Sequence, residues 1–287
     1  MEPWLILSAV VLSAAALAGP RATAQLHPAV TVRAVTILTS AAAVAWMSWG
    51  LLVIGALALD ITPLSEASRV GQLISLHDPA PRWLAAAAGA WAIWSACRVG
   101  ADERRRRSLH TSLPGTAGIV MVEADDFVGI AVPGRSARIV LSKSAMESCN
   151  PSERAVVIAH EWAHLRHHHS RYVRIVVASA TVCPWLRPVE RAVRFCVERW
   201  ADEDAAEVVQ DRLLVARTIA RLALDVGGDR TALPFTHGDT SARARAMLAP
   251  APVTPDIAAR SIVAGAGATA TGIAGSGLQL HHAFGVL

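Results

Sequence analysis

Lysine is almost missing from this chain. Of 27 basic residues only Lys143 is lysine, and against 23 acidic residues the net charge is +4. So mild a balance gives the chain no polycationic character as a whole. The one basic run, Arg104–Arg107, follows an apolar segment, where it reads as a membrane-orientation signal, so no direct nucleic-acid partner is expected. Cysteine is also scarce. Cys97, Cys149, Cys183 and Cys196 form no C-x-x-C pair, which argues against a disulfide framework or a thiolate metal site. Charge of either sign is thin: 17% of residues, against 53% hydrophobic and a mean hydropathy of +0.38. A wholly water-facing surface needs more charge than that, so the composition points to a membrane protein.

The apolar residues are clustered. Apolar runs cover about 4–19, 34–59 and 83–99, the third uncharged from Trp83 to Cys97, and a fourth covers 256–287, uncharged from Ser261 onward. A spanning helix needs about 20 apolar residues. The second run passes easily, and the first and third gain length from flanking residues. The first run lacks the basic start of a secretory signal, so it is expected to stay as a helix. Arginines in the first loop (Arg21, Arg33), after the third run (Arg98, Arg104–Arg107) and before the fourth (Arg243, Arg245, Arg260) agree on one orientation. Loop 21–33 and residues 101–255 face the cytoplasm, and both termini face outside. The expected fold is therefore mostly α: three transmembrane helices in 1–100, a cytoplasmic α+β domain in 101–255, and a fourth transmembrane helix in 256–287.

Within the middle domain, 119–124 and 127–132 flank Asp125-Asp126 and read as a hairpin, with 138–141 as a third strand. Asn150-Pro151-Ser152-Glu153 is a helix start, with Asn at the N-cap, Pro first and Glu third. A later helix, with room for one break, is expected from about Pro188 to Asp225, ending at Gly227-Gly228. Segment 173–186 is apolar but too short to span, which leaves it at the membrane surface or under the active site.

The helix begun at Asn150 runs into AHEWAHLRHHHS, residues 159–170. His160 and His164 are one turn apart on one face, so their imidazoles can share one tetrahedral zinc. Glu161 lies beside that face, where its carboxylate can take a proton from the attacking water. A third histidine at metzincin spacing is absent, because that position is Ser170. The later helix offers Glu198-Arg-Trp-Ala-Asp202. Glu198 can complete the ligand set, and Asp202 can fix the tautomer of a ligand histidine. His167, about 20° from His160 around the helix, is the rival ligand. His168 and His169 read as the polar end of the helix.

His160-Glu161-x-x-His164 with Glu198-x-x-x-Asp202 resembles the gluzincins, specifically integral-membrane zinc peptidases. Two groups fit: the heat-shock and CAAX prenyl membrane proteases, and the beta-lactam sensor-transducers, which place a cytoplasmic zinc domain between a third and a fourth helix. The short insert with Pro184-Trp185-Leu186 and Pro188 is more like the second group. The resemblance implies one zinc ion per chain, a protein or peptide substrate, and hydrolysis by zinc-activated water with Glu161 as base. Thr236-His237 with Arg243 is similar to a feature of the first group that steadies the oxyanion, which makes His237 or Arg243 a candidate to polarise the scissile carbonyl. Two departures stand out. His169 occupies a position that is often acidic in relatives, and no penicillin-binding domain follows the fourth run, so acylation by a beta-lactam is not expected. The functional expectation is a multi-pass zinc metalloendopeptidase of the cell membrane. The alternative is a signal-transducer acting on a cytoplasmic transcriptional repressor, with or without proteolysis.

Overall fold

The computed structural model describes residues 3–61, 82–112, 117–124, 127–226 and 236–252, together with 261, 264 and 265. Residues 62–81, Asp125-Asp126, Gly227-Gly228 and nearly all of the fourth apolar run lie outside these residues. What is described is mostly helical with one small mixed sheet.

Three long helices come first: α1 (Pro3–Ala22), α2 (Pro28–Ile61) and α3 (Arg82–Ser112). Among the described residues one stretch, Pro28–Gly55, is long and apolar enough to cross a membrane, and Ile6–Ala22 is a shorter apolar helix. Two expected boundaries move. Gly19-Pro20 does not end the first helix. Gly19 instead serves packing, since a Cβ there would stand 2.8 Å from Val35 Cγ2 on α2. Helix α3 does not stop near residue 99 but carries Arg104–Arg107 in the same rod. Nothing in Ala101-Asp102-Glu103 breaks a helix, and Glu103 and Arg107 pair at 2.9 Å one turn apart.

The sheet holds β1 (Gly118–Val122), β2 (Gly129–Val132) and β3 (Arg138–Ser142) in the order β1-β3-β2. This corrects the expected hairpin between 119–124 and 127–132. β1 pairs in parallel with β3, and β2 pairs antiparallel with β3 through the turn at Pro133-Gly134. The all-apolar core of β3 explains its central place. Ile139, Val140 and Leu141 are buried, which suits a strand covered on both faces, while β1 and β2 alternate and take the edges.

A short helix, α4 (Lys143–Ser148), leads to α5 (Pro151–Arg166), whose start forms as the sequence reads. Asn150 Oδ1 accepts from the Glu153 N–H at 3.0 Å, and Glu153 accepts from the Asn150 N–H at 2.9 Å. Arg221 closes on the same Glu153 carboxylate at 2.8 Å. Val157 and Leu165 face the sheet, whereas Val156 and Ala159 face the later helices. The expected late helix is broken once, into α7 (Arg187–Val209) and α8 (Arg212–Val226), parted by Gln210 at φ 56°. The last described helix is α9 (Thr236–Leu248).

Between α5 and α7 run α6 (His169–Val182) and a 3-10 turn at Pro184–Leu186. They do not stand apart from the first helices. Val176, Leu186, Val189, Val193 and Trp200 share one buried core with Leu12, Val32 and Val35. Trp46 meets Trp185 edge-on at 5.2 Å, and Trp91 Nε1 donates to the Val182 carbonyl at 3.1 Å. Segment 173–186 therefore lies packed beneath α7, against α2 and α3.

Candidate metal centre

Helix α5 presents His160 and His164 one turn apart, and α7 packs along it with Glu198 and Asp202 turned inward. The two Nε2 atoms are 3.2 Å apart. Glu198 Oε2 lies 3.5 Å from His160 Nε2, and Glu198 Oε1 lies 3.6 Å from His164 Nε2. One donor atom from each of the three residues falls within 4.8 Å of the other two. Two donors held roughly 2.0–2.1 Å from a shared tetrahedral zinc stand about 3.3–3.4 Å apart, so this donor set fits such an ion.

Both ring orientations are fixed from behind. His160 Nδ1 is 3.0 Å from Asp202 Oδ1, and Asp202 is 1% exposed. His164 Nδ1 is 3.0 Å from His169 Nδ1. In each case the contact behind the ring leaves Nε2 aimed at the shared point. His169 corrects the expectation of a polar helix end, because it is 1% exposed. Helix α5 stops at His167, and His168 takes the left-handed region at φ 54°, ψ 41°, which histidine enters more readily than most residues. That reversal starts α6 and folds His169 back onto His164. Its Nε2 is buried without a hydrogen-bond partner. The rival ligand His167 points elsewhere, to Asp204 at 2.5 Å, with its ring against Trp200.

Arg243 comes from α9. Its Nε and Nη2 grip Asp202 at 2.8 and 2.7 Å, and its Nη1 meets Glu198 at 3.1 Å. Three of its nitrogens are thus engaged by Glu198 of the ligand set and by Asp202 behind it, which differs from the expected approach to a scissile carbonyl. His237 stands in the first turn of α9, and its side chain lies outside the described residues.

Glu161 is 9% exposed and borders a cleft of about 310 Å³ with His160, His164, Glu198 and strand β2. Burial, with Glu198 adding to it, pushes its carboxyl up to about 7 against the opposing effects of His160 and the Ala131 N–H. Gly129 makes the fit possible, since a Cβ there would lie 3.0 Å from Glu161 Cγ and Oε1 and 3.0 Å from Leu141 Cδ2. Burial lowers His164 to about 4 and His169 to about 3, so both are neutral near pH 7. His160 goes the other way: despite burial, hydrogen bonds to Asp202 and Glu198 raise it to about 10. Burial raises Glu198 too, but His164, His160 and Arg243 hold it well below the usual carboxylate range. A site whose carboxylates keep a proton on His160 Nε2 will also favour a metal cation in that proton's place.

Residues 107–186 match the family model of Peptidase family M48. The match supports the M48 metallopeptidase family, and so a metal-dependent peptidase, without choosing between the two membrane-protease groups. It spans the sheet, α5 and α6, and stops before Glu198 on α7. No curated protein and no solved structure matches the chain.

Sequence reasoning missed the β2 contact with Glu161 and the role of His169. The glycine at 129 carries no readable signal without knowing that β2 crosses α5. His169 did carry one, the departure from the resembled families noted above.

Proposed function

We propose that the chain is a zinc metalloendopeptidase, with His160, His164 and Glu198 as ligands and Glu161 as general base. The observation that carries this is the convergence of three donors from two helices on one point, open towards a cleft that Glu161 borders. When bound there, zinc would supply Lewis acidity, lowering the pKa of water and polarising a carbonyl.

The chain's own residues do the rest. Asp202 accepts the His160 Nδ1 proton and leaves Nε2 free to ligate, and Arg243 keeps Asp202 ionised and Glu198 in place. Glu161 accepts a proton from the attacking water and returns it to the leaving amine, a task suited to a carboxyl near neutrality. The free side of β2 offers backbone groups to an extended peptide, which would lie across the cleft as an added strand. Arg243 acts on the ligand set rather than on the substrate.

We further infer that the protein sits in a membrane, with α1, α2 and the apolar part of α3 in the bilayer, and acts on a membrane-proximal protein. Peptide cleavage by purified protein tests the chemistry. Glu161→Gln should abolish cleavage while metal content stays at wild-type level, and unchanged cleavage would remove Glu161 from its role.

A further inference from the structure

The positive charge of this molecule is concentrated in one place. Where α3 faces α6 and α7, two adjoining clefts of about 500 and 560 Å³ are lined by eight arginines and three carboxylates. That excess is larger than the net charge of the whole chain, +4, so the rest of the protein is close to neutral. Two of the three carboxylates are already engaged, and the third, Asp102, forms no ion pair among the described residues. Glu103 holds Arg107 at 2.9 Å and Arg174 at 3.4 Å, and Glu190 holds Arg194 at 2.9 Å. Among the described residues, no carboxylate lies within ion-pair distance of Arg98, Arg105, Arg106 or Arg187. Arg106 is half-buried at the seam of both clefts and also borders the metal cleft. Around Arg106 the repulsion of Arg194 and Arg174 outweighs the attraction of Asp102 and Glu103, and such a half-buried cation is costly unless an anion joins it.

The apolar surroundings say which anion. Trp94 lines the second cleft and is 45% exposed, with the Arg98 guanidinium 6.0 Å above its ring. Trp83 stands eleven residues earlier on α3, a separation that returns to the same face, about 16 Å along the axis. Trp83 is 71% exposed, and Ile93 beside Trp94 is 68% exposed. Guanidinium groups at one level, tryptophan at the next and bare apolar surface beyond are the order met on passing from lipid phosphates into acyl chains.

We propose that this arginine-lined cleft binds a phosphate group presented by an anionic phospholipid, whose acyl chains lie along the exposed face of α3. The proposal rests on the membrane reading above. An acidic protein segment would use the arginines but leave the tryptophan column uncovered.

The test uses the full chain reconstituted in vesicles of phosphatidylcholine with phosphatidylglycerol, and in phosphatidylcholine alone. Phosphatidylglycerol retained by the protein after mild detergent extraction is read by native mass spectrometry. The Arg105→Gln/Arg106→Gln/Arg187→Gln variant should retain about a hundredfold less, roughly fivefold per arginine. Arg104→Gln/Arg191→Gln removes exposed charge outside the clefts and should retain as much as wild type. Equal retention by wild type and the triple variant overturns the site, and loss in both variants reduces it to diffuse charge attraction. Displacement of the lipid by millimolar inorganic phosphate would overturn the lipid as its source. Release of wild-type protein from both vesicle types by alkaline carbonate would instead sink the membrane reading, and this proposal with it.

Discussion

His169 gives the sharpest prediction, because its role follows from geometry rather than from the ligand motif. Its Nδ1 lies 3.0 Å from His164 Nδ1, and the residue is 1% exposed. With His164 Nε2 committed to metal, its Nδ1 carries the proton and His169 Nδ1 accepts it. His169→Ala leaves that N–H buried and unanswered, at a cost of about 1–3 kcal/mol. Metal affinity should then fall about 10- to 100-fold, the range seen when the partner of a ligating histidine is lost. His169→Asp should act in the opposite direction. A carboxylate is an ionic acceptor, roughly twice as strong as a neutral one, so affinity should match or exceed wild type by up to about tenfold. His169→Asn, a neutral acceptor of similar reach, should fall between the two. The assay is zinc competition against a chromophoric chelator, with thermal melting as a control for folding. If His169→Ala folds normally and binds zinc as tightly as wild type, the contact orients nothing and the argument fails.

Three other outcomes are expected. Gly129→Ala brings a methyl to 3.0 Å from the Glu161 carboxylate; kcat should drop about 10²-fold, as for a misplacement of about 1 Å, with zinc content unchanged. Arg243→Ala strips the bidentate partner from a carboxylate that is 1% exposed, so chemical denaturation should show a loss of about 3–5 kcal/mol, much of it recovered when Asp202→Asn is added. The Arg221 hydrogen bond holds the Glu153 carboxyl below its ordinary range. Its contribution to stability is therefore present above the unfolded pKa and is lost as pH falls through the lower folded value. Glu153→Gln should flatten that acid limb of the stability–pH curve, and an unaltered limb would contradict the pairing.

The parts legible in the sequence are those set by local chemistry. The Asn150 cap, the apolar face of α5 and the one-turn spacing of His160 and His164 need only helix periodicity. Glu198 and Asp202 were readable as a pair because they too are one turn apart. What was not legible depends on contacts between elements. The order β1-β3-β2 turns on which strand can be buried on both faces, and the hydrophobicity of β3 shows that only in hindsight. The place of His169 depends on one residue, His168, taking a left-handed conformation that no pattern announces. The straight run of α3 into its arginines, and the shared core of Val32 and Val35 with Val193 and Trp200, blur a boundary that composition drew cleanly.

The central claim is that three side chains from two helices hold one metal ion. Metal content by inductively coupled plasma mass spectrometry, on wild type and on the His164→Ala and Glu198→Ala variants, tests it most directly. The account predicts one zinc per wild-type chain, with occupancy lost in each variant while the helical content holds. Full zinc occupancy in Glu198→Ala, or a wild-type chain that binds no divalent metal, would contradict it.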